Sequence, residues 1–284
     1  MKVLLKLLTL SLLFLYGCQN TEQLPKKPTV LVTLAPYKYF VKKIAENTVN
    51  VHVIIPYNAN PHTFEPTPKQ MQNSLKARVW FKNGEFLESL IENTIKEKNN
   101  NILITDLRKG IDLLDIKGKA NPSHDHCQDK HIWLSPSLAK KQAIHIANSL
   151  CECFPENASL YQENLKILLK ELDKLKEEIE KILSKVNNRS FLVSHSAFTY
   201  FCKEFNLNQI STEAEGHSPS VRSMTDLYNT AKELKIEKVI VQPQHNNNTA
   251  QLIGKKLHIP INFLDPYSPD YFNNMIHIAN TLAK

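Results

Sequence analysis

Four side chains able to hold a transition metal stand far apart in the sequence, three of them close behind a run of residues with strand character and one, His131, beyond the fourth such run and the long loop after it. They are His62, His131, His195 and Asp265. His62 lies in Asn60-Pro-His-Thr-Phe-Glu-Pro66, shortly after an apolar run that ends at Ile55, and His131 lies in Asp129-Lys-His-Ile-Trp-Leu134. His195 directly follows Phe191-Leu-Val-Ser194, and Asp265 directly follows Ile261-Asn-Phe-Leu264. Three imidazoles and a carboxylate make a complete tetrahedral donor set at about 2.0–2.2 Å, which suits Zn²⁺. Ca²⁺ and Mg²⁺ prefer oxygen, and Mn²⁺ would gain from a second carboxylate in place of a histidine, so the set reads as zinc with manganese as the alternative. A lone histidine near a strand end is more often a surface or hydrogen-bonded residue, and Asp265-Pro266 alone reads as a turn start. The joint placement carries the reading.

The elements that must bring these residues together follow from apolar periodicity. Residues 29–34, 50–55, 77–81 and 102–106 read as strands, with helices over 37–46 and 85–98 between them; strands separated by helices imply parallel βαβ packing. From 156 to 186 there is neither Gly nor Pro, and Leu165, Leu168, Leu172, Leu175, Ile179, Ile182 and Val186 form a 3-4 seam, which predicts one helix of about thirty residues, about 45 Å long. A coiled-coil dimer competes for that seam; packing against both flanking lobes is favoured. Strands at 190–194, 207–211, 238–242 and 261–264 and helices at 220–234 and 247–257 then repeat the first architecture without sequence repetition. The expectation is an α/β fold: two lobes with parallel sheets joined by a long rigid helix. The N-terminal lobe spans 29–155, the linking helix 156–188 and the C-terminal lobe 189–284. In open parallel sheets, ligands bind beyond the carboxyl ends of the strands, and there all four candidates lie.

Composition narrows the function classes. The chain has 284 residues, 42% of them hydrophobic and 22% charged, which is ordinary for a globular protein. Its six glycines, at 17, 84, 110, 118, 216 and 254, are too scattered for a phosphate cradle, a dinucleotide fingerprint or a Gly-x-Ser-x-Gly elbow. The formal charge of +7, or +5 without Lys2 and Lys6, is not clustered and argues against nucleic-acid binding.

Residues 1–17 combine a basic start with an apolar run too short to span a bilayer, so they read as a secretory signal, with 18–28 as a polar tether. Leu15-Tyr-Gly-Cys18 resembles a lipobox, after which Cys18 would carry lipid, although Tyr16 departs from the usual small residue. Export implies an oxidising setting in which thiols pair. Cys127, Cys151, Cys153 and Cys202 then allow three connectivities, of which a Cys151–Cys153 bridge is disfavoured by proximity.

Asn60-Pro-His-Thr-Phe-Glu-Pro-Thr-Pro68, Asp129-Lys-His-Ile-Trp-Leu-Ser-Pro136, His195-Ser-Ala-Phe-Thr-Tyr-Phe201 and Leu264-Asp-Pro266 resemble, in order, segments of the zinc/manganese substrate-binding proteins of bacterial ABC transporters. The resemblance covers essentially the whole mature chain. It implies a periplasmic or lipid-anchored, monomeric protein that binds a transition-metal ion between two α/β lobes and passes it to a membrane permease. It also implies that His62, His131, His195 and Asp265 occupy the ligand positions. The sequence departs from that pattern at Lys130, usually Pro, at His217, where Glu-Pro is common, and at Gln242, where an acid is common. Pro122-Ser-His124-Asp-His126-Cys127 resembles a shortened form of the His-rich loop of zinc-specific members; it reads equally as a weaker accessory metal loop or an exposed polar loop.

His52, which alternates within a strand, His145 and His277, which lie on helices, and His245 and His258, which stand in polar, exposed context, are assigned no role. His217 is read as a solvent-facing loop residue, with an extra ligand as the alternative. Because ligating imidazole must be neutral, binding is expected to weaken below about pH 6. Two other functions are kept: a secreted zinc hydrolase using the three histidines with Glu65 as general base, and a metal-binding surface adhesin.

Overall fold

The computed structural model describes residues 27–115, 128–213 and 219–284. The signal-like segment, Cys18, the loop bearing His124, His126 and Cys127, and His217 lie outside the described residues.

Two parallel four-stranded sheets form the frame. The first comprises β1 (Thr29–Leu34), β2 (Asn50–Ile55), β3 (Ala77–Lys82) and β4 (Leu103–Asp106) in the order β2-β1-β3-β4. The second comprises β5 (Ser190–Val193), β6 (Asn208–Ser211), β7 (Val239–Val241) and β8 (Ile261–Phe263) in the order β6-β5-β7-β8, the same arrangement one half later. Every pairing is parallel, as alternating strands and helices require. Helices α1 (Ala35–Ala45), α2 (Pro68–Ser74) and α3 (Phe86–Lys98) belong to the first half. Next come α4 (Pro136–Cys153) and α5 (Ala158–Leu183), then α6 (Thr199–Phe205), α7 (Val221–Glu233), α8 (Asn248–Leu257) and α9 (Tyr271–Ala283).

The long helix is α5, 26 residues and so about 39 Å. Leu165, Leu168, Leu172, Leu175 and Ile179 are buried as the seam predicts, but the stripe then shifts to Leu183, leaving Ile182 half-buried. A straight helix drifts against a strict heptad, and packing follows the drift. The stripe sits in one cluster with Phe40, Trp80 and Leu150 on one side and Phe191, Phe198 and Phe201 on the other, so it is covered within the chain and no seam remains for a coiled-coil partner.

Period two is visible in the second sheet. Phe191 and Val193 turn to the main cluster, whereas Leu192, Val239 and Val241 turn to a small separate core with Ala231, Ala250 and Ile253 beneath α7 and α8. Helix α9 returns to the first half: Tyr271 meets Phe40 at 4.7 Å between ring centroids, and Phe272 stacks on Tyr39 at 5.5 Å.

Helices α2 and α6 were not expected, and α4 and α9 were expected only as the helical setting of His145 and His277, without bounds. Two of them carry legible starts: Thr67 and Gln70 form a reciprocal capping box before Pro68, and Ser135 accepts from Leu138 N before Pro136. Thiol pairing is not seen among the described residues, where Cys151, Cys153 and Cys202 are free. The first two leave the end of α4 toward different carbonyls, Ala158 O and Arg78 O, while burial in the core pushes the Cys202 thiol up to about 12.

Candidate metal centre

His62, His131 and His195 converge from loops at the carboxyl ends of the two sheets. Each offers a ligand atom within 4.8 Å of the others'. His62 and His131 come from the first half, His195 from the second. The His62 and His195 Nε2 atoms are 3.4 Å apart, and the ring centroids of His131 and His195 are 5.2 Å apart. Two donors on one tetrahedral zinc lie about 3.4 Å apart, so the spacing is that of a shared ion.

His131 is held most firmly. Asp129 Oδ1 accepts from the His131 amide and lies 2.8 Å from its Nδ1, which places the ring proton there and leaves the Nε2 lone pair outward. The Tyr267 hydroxyl reaches that Nε2 at 2.9 Å. Trp133 Nε1 donates to Pro266 O, so this loop is tied to the far half on both sides of the histidine. A deeper buried network supports the loop: Asn83 Nδ2 donates to Lys130 O, and Glu88 accepts from the amides of Asn83 and Gly84. Burial pushes the Glu88 carboxyl up to about 7. Gly84 sits at φ +85°, and a Cβ there would meet the Arg108 guanidinium at 2.3 Å.

His195 is fixed through its backbone. Gln242 Oε1 accepts from the His195 amide at 2.7 Å and from Ser194 Oγ at 2.9 Å. Sequence reading had marked Gln242 only as a departure from an acid. His62 is exposed as a residue but turns Nε2 inward. Burial, then the neighbouring imidazoles of His131 and His245, push its pKa down to about 3. Burial and the same crowding hold His195 well below the ordinary value. Burial thus favours, in both rings, the neutral form that ligation requires.

Asp265 belongs to neither group of ligand atoms that the described residues form. Its Oδ1 accepts from Gln244 Nε2 at 2.7 Å and from the Tyr267 amide at 2.8 Å, and burial raises its pKa. Glu65 is exposed and likewise outside both groups. His245 corrects the sequence reading outright: it is buried, with its ring stacked on His195 at 3.9 Å. The polar run Gln244-His-Asn-Asn-Asn248 suggested solvent, but the turn after β7 folds the ring inward. No periodicity marks such a loop residue.

Known proteins resemble this chain in sequence and in fold. Residues 30–284 match the family model described as "ZnuA: Zinc-uptake complex component A periplasmic". A "Putative metal-binding protein" of Chlamydia trachomatis is 33% identical over 275 residues, covering 96% of this chain and 97% of the relative. The "High-affinity zinc uptake system protein ZnuA" of Bacillus subtilis is 27% identical, covering 80% of this chain and 75% of its own. A solved structure, "Crystal structure of ZnuA", superposes with a TM-score of 0.84 at 33% identity, covering 91% and 98% of the two chains. This chain belongs to the ZnuA family of zinc-uptake components.

Proposed function

We propose that the protein captures Zn²⁺ outside the cytoplasm, between its two halves, and delivers it to an ABC permease. His62, His131 and His195 are the imidazole donors and Asp265 the fourth. The reading rests on one observation above all: histidines from opposite halves present nitrogens 3.4 Å apart. Membership of a zinc-uptake family and the zinc-uptake role named for the Bacillus subtilis relative support it. Zinc is favoured over manganese because the donors are mostly nitrogen. A site with four protein donors leaves no position for a reactive water, so the protein is a carrier and not an enzyme. Residues 29–155 and 189–284 act as the two jaws, 156–188 as the strut between them, and Cys18 as a lipid anchor to the membrane. A monomer suffices, since the α5 stripe is covered within the chain. His124 and His126 serve as an accessory metal loop.

Elemental analysis of protein purified without added metal tests this, alongside a zinc titration of His195→Ala. The expected result is one tightly held zinc in the wild type and at least about a 100-fold loss of affinity in the variant, beyond the range for an outer-sphere partner. Equal zinc occupancy in both would remove the assignment.

A further inference from the structure

His195 presents different nitrogens to two neighbourhoods. Its Nε2 faces His62, while its Nδ1 lies 3.9 Å from Glu213 Oε2. His245, stacked on His195 with only 6° between ring planes, places its own Nδ1 3.5 Å from the same Glu213 oxygen. These separations are too long for hydrogen bonds and close to the roughly 3.4 Å between two donors on one tetrahedral ion. Among the described residues, both ring nitrogens of His245 and Glu213 Oε2 are buried with no hydrogen-bond partner. Three inward-facing orphaned polar atoms in one place call for a ligand, because each otherwise bears its full desolvation penalty.

We infer that His195, Glu213 and His245 form a second, inner position for a divalent transition-metal ion, alternative to the one between the halves. It rests on the capture reading proposed above. Two imidazoles and a carboxylate, all donors contributed by the second half, supply three of the four places that zinc takes once the His245 ring turns out of its stack on His195, because an imidazole coordinates within its own plane and parallel rings cannot share one ion. Occupancy is exclusive, because a neutral imidazole has one lone pair for coordination: with the proton on Nδ1 the ring serves the outer ion, with the proton on Nε2 the inner one. Transfer therefore requires His195 to lose its Nδ1 proton to water and take one at Nε2. An ion in the inner position has released His62 and His131, so it no longer bridges the halves. That gives the protein a way to loosen its grip without ejecting its cargo.

The test uses zinc chloride as probe. Crystals of His62→Ala, a change in an exposed loop, are soaked and measured on both sides of the zinc absorption edge. The expected anomalous peak is bounded by His195 Nδ1, Glu213 and His245. His131→Gln, which removes a different outer donor, must give the same peak. In solution, adding Glu213→Gln or His245→Phe to His62→Ala is expected to lower zinc affinity at least tenfold. A peak confined to the outer position, no peak in either variant, or an affinity indifferent to both second substitutions overturns the inference. Absence of any peak among His62, His131 and His195 in wild-type crystals overturns the capture reading instead, so the two failures are distinguishable.

Discussion

The two halves share a strand order and differ in how firmly they hold what they present. In the first, strands of four to six residues are covered by a single large core containing Phe40, Trp80 and Trp133. Its buried histidine is aligned by a carboxylate at 2.8 Å and a tyrosine hydroxyl at 2.9 Å. In the second, strands of three or four residues are backed on their outer face by a small cluster of seven buried aliphatic residues, and α7 buries fully only Ala231. His195 is fixed through its amide, while its ring carboxylate neighbour stands 3.9 Å away. One half is thus a preformed socket and the other a compliant partner, which would suit the proposed capture and release of an ion.

That contrast can be attacked at several strengths. Trp80→Ala, in the thick core, is expected to destabilise the protein by about 3–5 kcal/mol in urea unfolding; a loss under about 1 kcal/mol would mean that the first half is not the rigid one. Asp129→Asn keeps the shape but removes the carboxylate that orients His131, so zinc affinity should fall about 10–100-fold by competition with a chelator. An unchanged affinity would show that the ring needs no outer support. Ile253→Val in the thin core should remove only about 0.5–1.5 kcal/mol. Hydrogen exchange should show β7 and α8 opening before β1 and β3, and uniform protection would erase the difference between the halves.

The mildest effect near neutrality is that of pH on the metal-free protein. His62 and His195 resist protonation when folded, whereas the unfolded chain takes up protons below about 6.5. Their contribution is therefore lost as pH falls from about 6.5 toward 3 and is unchanging above 7. A melting temperature that rises on acidification over that window would contradict the burial of both rings.

Much of this arrangement was readable from residue spacing. Eight strands in two sets, and the α5 stripe, follow from short β-branched runs and a 3-4 period, because each buries one face against a continuous surface. Helices α4 and α9 were legible only as the helical setting of His145 and His277, without bounds; for α4 the cap at Ser135 offered a start. At the site, His62, His131 and His195 were found because each closes a strand or follows one. His245, Glu213 and Tyr267 were not, since they reach the site through turns whose direction depends on contacts far away in sequence. Asp129 stood in plain view beside His131 but acquires its purpose only from the 2.8 Å approach to a ring nitrogen.

The return of α9 to the first half has a bearing on biogenesis. Phe40 and Tyr39, near the start of the described chain, find their aromatic neighbours in Tyr271 and Phe272. A nascent polypeptide emerging amino end first would leave the face of these rings that α9 covers open until that helix had been synthesised. Non-local closure of this kind is slow and leaves sticky surface in view.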